Sequence, residues 1–211
     1  MVMPIIPKAT AKRLPLYCRY LNFLKNTDKK GISSRELSDA LQVESATIRR
    51  DFSYLGAKGK RGFGYNIDSL LNVISQILKQ NHLSQIALIG VGNLGRALLN
   101  YNFELNDNLS IAIAFDVDPK VIGTVQNNVP IYSMAELSKC LKQQQLDIAI
   151  LAVPSQDAQK AADQIVAAHI RGIMNFSPVR LNVPKNVRVL NIDLALELQS
   201  LIYFLGHYDT N

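Results

Sequence analysis

The stretch IGVGNLGRAL places Gly90, Gly92 and Gly95 at Gly-x-Gly-x-x-Gly spacing, and Asp116 follows 21 residues after the last of them. Apolar residues 86–89 lead into the glycines and a helical pattern leaves them, so the turn joins a strand to a helix. In that setting Gly90 permits the tight turn, Gly92 lets the backbone approach a pyrophosphate, and Gly95 lets helix and strand pack closely. Val91, Asn93 and Leu94 complete the turn, and the amides of Asn93 and Leu94 point at the phosphates from a helix N-terminus. Asp116 ends the next strand, with Val117 and Asp118 after it. Its carboxylate can accept hydrogen bonds from both ribose hydroxyls and repels a 2′-phosphate, which favours NAD(H) over NADP(H).

A dinucleotide can be a reagent or a signal. A dehydrogenase holds its substrate beside the nicotinamide, usually with an acid/base residue. The strand ends offer AVPS, with Val153 and Pro154, and NFSPV, with Asn175, Ser177 and Pro178. These are mostly apolar and small; they can cradle a nicotinamide but supply no evident proton carrier. His82 falls before the first strand, His169 at a helix end and His207 in the C-terminal tail, so none reaches a strand end. About twenty residues follow NID at 191–193, too few for a substrate domain. An oxidoreductase is the second reading. A CoA-binding module is the third, and Asp116 argues against it.

Residues 1–65 carry 13 Lys/Arg against 5 Asp/Glu, and residues 66–211 carry 10 against 12. The basic character therefore belongs to the first third, as a phosphate-backbone partner requires. Leu14, Leu16, Tyr17, Tyr20, Leu21, Phe23 and Leu24 recur at helical spacing and predict an amphipathic helix over residues 10–25. Ser33 and Glu36 have the capping-box spacing, with Leu37, Ala40 and Leu41 as the buried stripe of a second helix. After the short turn QVE, Ser45 is a cap candidate for a third helix. Ile48, Phe52 and Leu55 of that helix face inward and leave Thr47, Arg49, Arg50 and Ser53 on the surface.

This is the pattern of a helix-turn-helix, whose second helix enters the major groove. Either arginine can fork onto a guanine or clamp a phosphate. In AKGKRGFGY, residues 57–65, Lys58, Lys60 and Arg61 are threaded among three glycines and form a wing against the phosphates or in the minor groove.

The elements that follow position the glycine turn. Residues 68–80 read as a connecting helix. Apolar strands over 86–90, 110–116, 129–133 and 147–153, with two more in GIMNFS and VRVLNI, then alternate with helices. Continuous apolar strands in βαβ alternation predict a parallel sheet covered on both faces. The expected fold is α/β. A winged helix-turn-helix domain with its connecting helix spans residues 1–80, a Rossmann-like domain 81–192, and a C-terminal helix 193–211. In the last, Leu194, Leu198, Leu201, Ile202 and Leu205 form one stripe that must be buried, on its own domain or on a partner.

The 211 residues are 48% hydrophobic and 19% charged. No apolar run approaches the roughly 18 residues that span a bilayer. Pro4 and Pro7 break the N-terminal segment, so export and membrane insertion are not expected and a cytoplasmic protein is. Cys18 and Cys140 stand apart with no Cys/His cluster, so neither a disulfide nor a metal site is expected.

Over nearly its full length the chain resembles the Rex family of bacterial redox-sensing transcriptional repressors. The residues that carry the resemblance are SSRELSDALQVESATIRRDFSYLGAKGKRGFGY, IGVGNLGRAL, FDVDP, AVPSQDAQKAAD and GIMNFSPVRLNVP. Phe52, Leu55 and Ala57 are small departures from the family's usual residues. The resemblance implies a non-enzymatic homodimer whose winged helices read a palindromic operator in double-stranded DNA. It implies a regulatory NAD(H) site, with NADH shifting the dimer to a form that cannot hold DNA, and a domain-swapped final helix. It also singles out Arg19, Tyr101 and Asp193 as a switch, with Tyr101 near the nicotinamide and an Arg–Asp pair that forms in only one domain arrangement.

Overall fold

A computed structural model describes residues 6–78, 83–101 and 108–207. The described chain divides into two compact units, one built from residues 6–78 with Asn108 and one from residues 83–101 and 109–207. The expected boundary at residues 80 and 81, like His82, lies outside the described residues.

The first unit is built by α1 (Lys8–Lys25), β1 (Gly31–Ile32), α2 (Ser34–Leu41), α3 (Ser45–Tyr54), β2 (Tyr65–Asn66) and α4 (Ile67–Ile77). Helix α1 starts two residues before the expected position. It buries Leu14, Tyr17, Leu21 and Leu24, while Leu16 and Phe23 of the predicted stripe are exposed. These buried residues meet Leu37, Ile48, Phe52, Leu70 and Ile74 in a single core, so α4 belongs to this unit as packed structure rather than as a bare connector. Ala40 is exposed, so the stripe of α2 is narrower than its spacing suggests. Ser33 and Glu36 do form the capping box: the Glu36 amide donates to Ser33 Oγ and the Ser33 amide to Glu36.

The second unit is a seven-stranded sheet. It comprises β3 (Ser84–Ile89), β4 (Leu109–Asp116), β5 (Val125–Gln126), β6 (Val129–Ser133), β7 (Ile148–Leu151), β8 (Gly172–Asn175) and β9 (Arg188–Asn191), in the order β5-β6-β4-β3-β7-β8-β9. From β6 to β9 every pairing is parallel. The order around β3 is the doubly wound one, in which the chain reverses direction between β3 and β7 and opens a crevice at the strands' C-terminal ends.

Alternation along β3 explains the two covered faces. Ala87 and Ile89 join the core under α6 (Leu137–Gln144) and α7 (Ser155–Ala167), while Ile86 and Leu88 join Leu99 of α5 (Asn93–Leu99) on the other face. Sequence reading missed β5. It is the antiparallel arm of a hairpin closed by Asn127 and Asn128, both left-handed at φ 47° and 64°. Paired positive φ values are what a tight hairpin needs and what Asn tolerates. The last helix, α8 (Leu194–His207), ends the described chain.

Candidate functional sites

The recognition-helix surface is built by α2, α3 and the loop after them. The N-cap of α3 is Glu44 rather than Ser45, and no side chain caps it. Ser45 is instead the first helical residue, and its hydroxyl accepts from Arg49 Nη1 at 3.3 Å. The same nitrogen donates to Ser34 Oγ of α2 at 3.2 Å, so Arg49 bridges the two helices. Arg50 and Ser53 are exposed on α3, and Thr47 is half-buried. Ile48, Phe52 and Leu55 point inward as expected.

Residues 60–64 close a tight hairpin, with the Lys60 amide donating to Gly64 O at 2.7 Å and the Gly64 amide to Lys60 O at 2.8 Å. Gly64 has φ +77°, and a Cβ there would stand 2.3 Å from Ile32 O, so the hairpin needs a glycine to lie against β1. Lys58, Lys60 and Arg61 are exposed around this wing. Beside it, hydrogen bonds from Lys29 and from the Ser33 amide and hydroxyl push the Glu36 carboxyl down to about 2.

The glycine turn lies at the C-terminal end of β3, where the crevice opens. A Cβ on Gly90 would meet Ala152 O at 2.5 Å, and one on Gly95 would meet Gly90 O at 2.1 Å, so the fold itself fills both places. Nothing lies within 4 Å of a Cβ built on Gly92. Gly90 has φ +93°, as a tight turn needs, and both Gly90 and Gly95 lie against neighbouring backbone, while the space above Gly92 is open. Asn93 and Leu94 start α5, whose first-turn amides have no partner within the helix.

Asp116 faces the turn. Its Oδ2 accepts from the Val91 amide at 2.6 Å, and its Oδ1 accepts from the amides of Val117 and Asp118 at 2.7 and 2.8 Å. The carboxylate therefore ties the ends of β3 and β4 together before any ligand arrives. Around it opens a cavity of about 390 Å³ lined by Gly90, Gly92, Asp116, Val117, Val153 and Pro154. Met134, Asp157, Lys160 and Gln164 also line it, and sequence reading missed all four. The signal was available in part: residues 157, 160 and 164 recur at one-face spacing on the helix after AVPS.

Asn175 and Ser177 are placed differently from a ligand-facing expectation. Asn175 is fully buried; its Nδ2 donates to Val179 O and to Asn191 Oδ1, and its Oδ1 accepts from the Ser177 amide. Ser177 is buried too and donates its hydroxyl to Val153 O at 2.7 Å. Both side chains knit the ends of β7, β8 and β9 together and so shape the crevice wall. Pro178 is exposed beside them.

The three switch candidates fall on different elements, Arg19 in the first unit and Tyr101 and Asp193 in the second. Arg19 is exposed on α1. Asp193 caps α8, accepting from the amides of Ala195 and Leu196 at 3.0 and 3.2 Å. Tyr101 follows α5 and lines a depression with Leu83, Gln85, Leu109 and Ser110. Those residues sit at the N-terminal ends of β3 and β4, a strand's length from Gly90 and Asp116. Five residue steps along β3 span roughly 17 Å. Among the described residues, no group of three His, Cys, Asp or Glu could hold a metal ion, and no helix is long and apolar enough to cross a membrane.

A basic winged helix-turn-helix joined to a doubly wound sheet with an open glycine turn defines the class: a winged-helix regulator carrying a nucleotide-binding type of unit. Comparison with known proteins makes the assignment particular. Residues 5–53 match the family described as putative DNA-binding protein N-terminus, and residues 81–179 match the CoA binding domain family. The redox-sensing transcriptional repressor Rex of Lactiplantibacillus plantarum is 59% identical over 203 residues, covering 96% of this chain and 90% of that protein. The Rex repressor of Lactobacillus acidophilus is 58% identical over 206 residues, covering 98% of each. Among solved structures, RSP in complex with β-NAD⁺ and operator DNA superposes with a TM-score of 0.88 at 36% identity, covering 96% of this chain and 93% of that one. RSP in complex with β-NADH gives 0.84 at 34% identity, covering 96% and 95%. The chain belongs to the Rex family of redox-sensing transcriptional repressors.

Proposed function

We propose that this chain is a homodimeric repressor that holds palindromic operator DNA and releases it when NADH binds, so that it reads the NADH/NAD⁺ balance in the cytoplasm. The observation that carries the nucleotide half is the open face above Gly92, bordered by Asp116, in a turn whose other two glycines the fold fills. Gly90–Gly95 receives the pyrophosphate and Asp116 the adenosine ribose. Val117 and Met134 give the adenine an apolar wall, and Val153, Pro154 and Pro178 lie along the nicotinamide path. Asn175 and Ser177 hold that path in shape. NAD(H) supplies the signal: its nicotinamide is cationic when oxidised and neutral when reduced. Such a ligand shifts a two-state protein only by binding one state better than the other.

Arg50 and Ser53 face the DNA from α3 with Thr47. Arg49 works from the α2–α3 seam beside Ser45, and Lys58, Lys60 and Arg61 reach phosphates from the wing. Residues 1–80 form the reading domain, 81–192 the sensing domain, and 193–211 the dimerisation helix. What supports the last is the exposure of its apolar residues. Leu198, Ile202 and Leu205 are 60%, 69% and 65% exposed, and every residue of α8 is exposed in the single chain. A helix apolar on several sides is stable only when buried, and a second copy is the available cover. Tyr101 lies a strand's length from Gly90 in its own chain, so in this reading it senses the nicotinamide held by a second copy, and Arg19 and Asp193 complete the switch.

The chain carries out no reaction on the nucleotide in this reading. In solution it is expected to run as a dimer and to retain one palindromic duplex selected from a random pool, with affinity falling steeply as salt rises. Failure to retain any duplex would remove the repressor reading, and turnover of NADH with carbonyl compounds would replace it with the oxidoreductase one.

A further inference from the structure

The least exposed charge in the first unit takes no part in any surface described so far. Asp51 follows Arg49 and Arg50 directly in α3, yet it is 1% exposed. Arg13 reaches it as a fork, Nε to Oδ2 at 2.7 Å and Nη2 to Oδ1 at 2.8 Å. Tyr17 Oη donates to Oδ2 at 2.6 Å and Thr10 Oγ1 to Oδ1 at 2.7 Å. Thr10, Arg13 and Tyr17 lie three and four residues apart, so one face of α1 supplies every donor.

Burial pushes the Asp51 carboxyl up, but the hydrogen bonds from Arg13, Tyr17 and Thr10 outweigh it and hold the group below the usual carboxylate range. It is therefore ionised at neutral pH. The neighbouring residue extends the connection. Phe52 meets the Tyr17 ring edge-on at 5.3 Å and the Tyr65 ring at 4.9 Å, and Tyr65 begins the strand that leaves the wing. The pair Asp51–Phe52 thus touches α1 on one side and the root of the wing on the other.

Stability alone does not call for such a device, because a buried ion pair can often be exchanged for well-packed apolar groups without loss. What a bidentate, charge-assisted fork adds is angle: it tolerates little rotation, whereas apolar contacts let helices slide. We infer that Asp51 is a positioning residue for DNA recognition, its clamp by Thr10, Arg13 and Tyr17 fixing the angle at which α3 presents Arg50 while the wing engages the same duplex. The inference rests on the operator-binding reading above. It also gives α1, which carries Arg19, a rigid grip on the recognition helix.

The probe is the palindromic duplex that the wild-type chain enriches from a random pool. Asp51→Asn keeps the shape and removes the charge. It is expected to bind that duplex about tenfold or more weakly. The slope of log affinity against log salt should become shallower by about one for each phosphate contact that no longer forms. NADH affinity, read by calorimetry, stays at the wild-type value. Tyr17→Phe keeps its ring against Phe52 and loses one donor, and a few-fold weakening is expected. Arg13→Lys, which keeps the charge without the fork, should resemble Asp51→Asn.

Far-UV circular dichroism at the binding temperature shows which variants keep their helices; if Asp51→Asn does not, Tyr17→Phe and Arg13→Lys decide. Folded variants that bind with wild-type affinity and slope overturn the inference. So does a weakening that follows the unfolded fraction with the slope unchanged. If the wild-type chain enriches no duplex, the operator reading fails and takes this inference with it. Wild-type binding that the variants share removes the inference alone.

Discussion

Asp51 and Asp116 are both held by short hydrogen bonds, and they do opposite work. Asp51 accepts four, all from side chains of another helix, and has 1% of its surface exposed. Asp116 accepts three, all from backbone amides of its own loop and the facing turn, and stays half-exposed at the mouth of a cavity. Donors drawn from a distant element set the orientation of one element on another. Donors drawn from local backbone shape a loop and leave the outer edge of the carboxylate to a ligand. Saturation and exposure, not residue type, separate the aspartate that positions from the one that binds.

The contrast can be broken from either side. The largest effect is expected at the surface that the Asp51 clamp presents. Replacing Arg49 and Arg50 by Ala should weaken duplex binding by more than the about 1–3 kcal/mol of one base-reading arginine, because Arg50 is lost from the duplex and Arg49 from the α2–α3 seam together. Calorimetry should find NADH affinity intact in the same variant. Gly95→Ala attacks the other unit, because its Cβ would stand 2.1 Å from Gly90 O. The strain should cost about 1–3 kcal/mol of stability and abolish NADH binding, while thermal melts still show a folded first unit.

Asp116→Ala is milder. It removes a charged acceptor from the ribose and from three amides, worth about 1.5–3 kcal/mol, and should narrow the preference for NADH over NADPH. The smallest effect belongs to Glu36. Its folded-state carboxyl, at about 2 against an ordinary 4.5, adds stability that is fully present above pH 4.5 and is lost as pH falls toward 2. The site is exposed, so Glu36→Gln should change stability by no more than roughly 0.5 kcal/mol, and only above that acid window.

How far each site was legible in the sequence follows from where its partners lie. Gly90, Gly92, Gly95 and Asp116 answer to local rules of turn, close approach and strand end, so their spacing marks the turn in the sequence. The capping box of Ser33 and Glu36 is equally local. Asp51 reads in RRDFS as one more surface charge, because its donors are 34 to 41 residues away. Tyr17 reads as part of the apolar stripe of α1, and nothing local to Thr10 or Arg13 marks them as its partners on Asp51. Asn175 misled in the other direction: a polar residue at a strand end looks ligand-facing until its three internal hydrogen bonds are seen. The stripe on α8 showed that something must cover it, and periodicity could not say what.

The central claim is that the nucleotide is measured rather than consumed. It is tested most directly by titrating the preformed complex of the dimer and its selected duplex with NADH and, separately, with NAD⁺. The account predicts that NADH releases the duplex and is recovered unchanged, while NAD⁺ at the same concentrations leaves the complex in place. A complex that survives saturating NADH, or that NAD⁺ dissolves equally well, would contradict it.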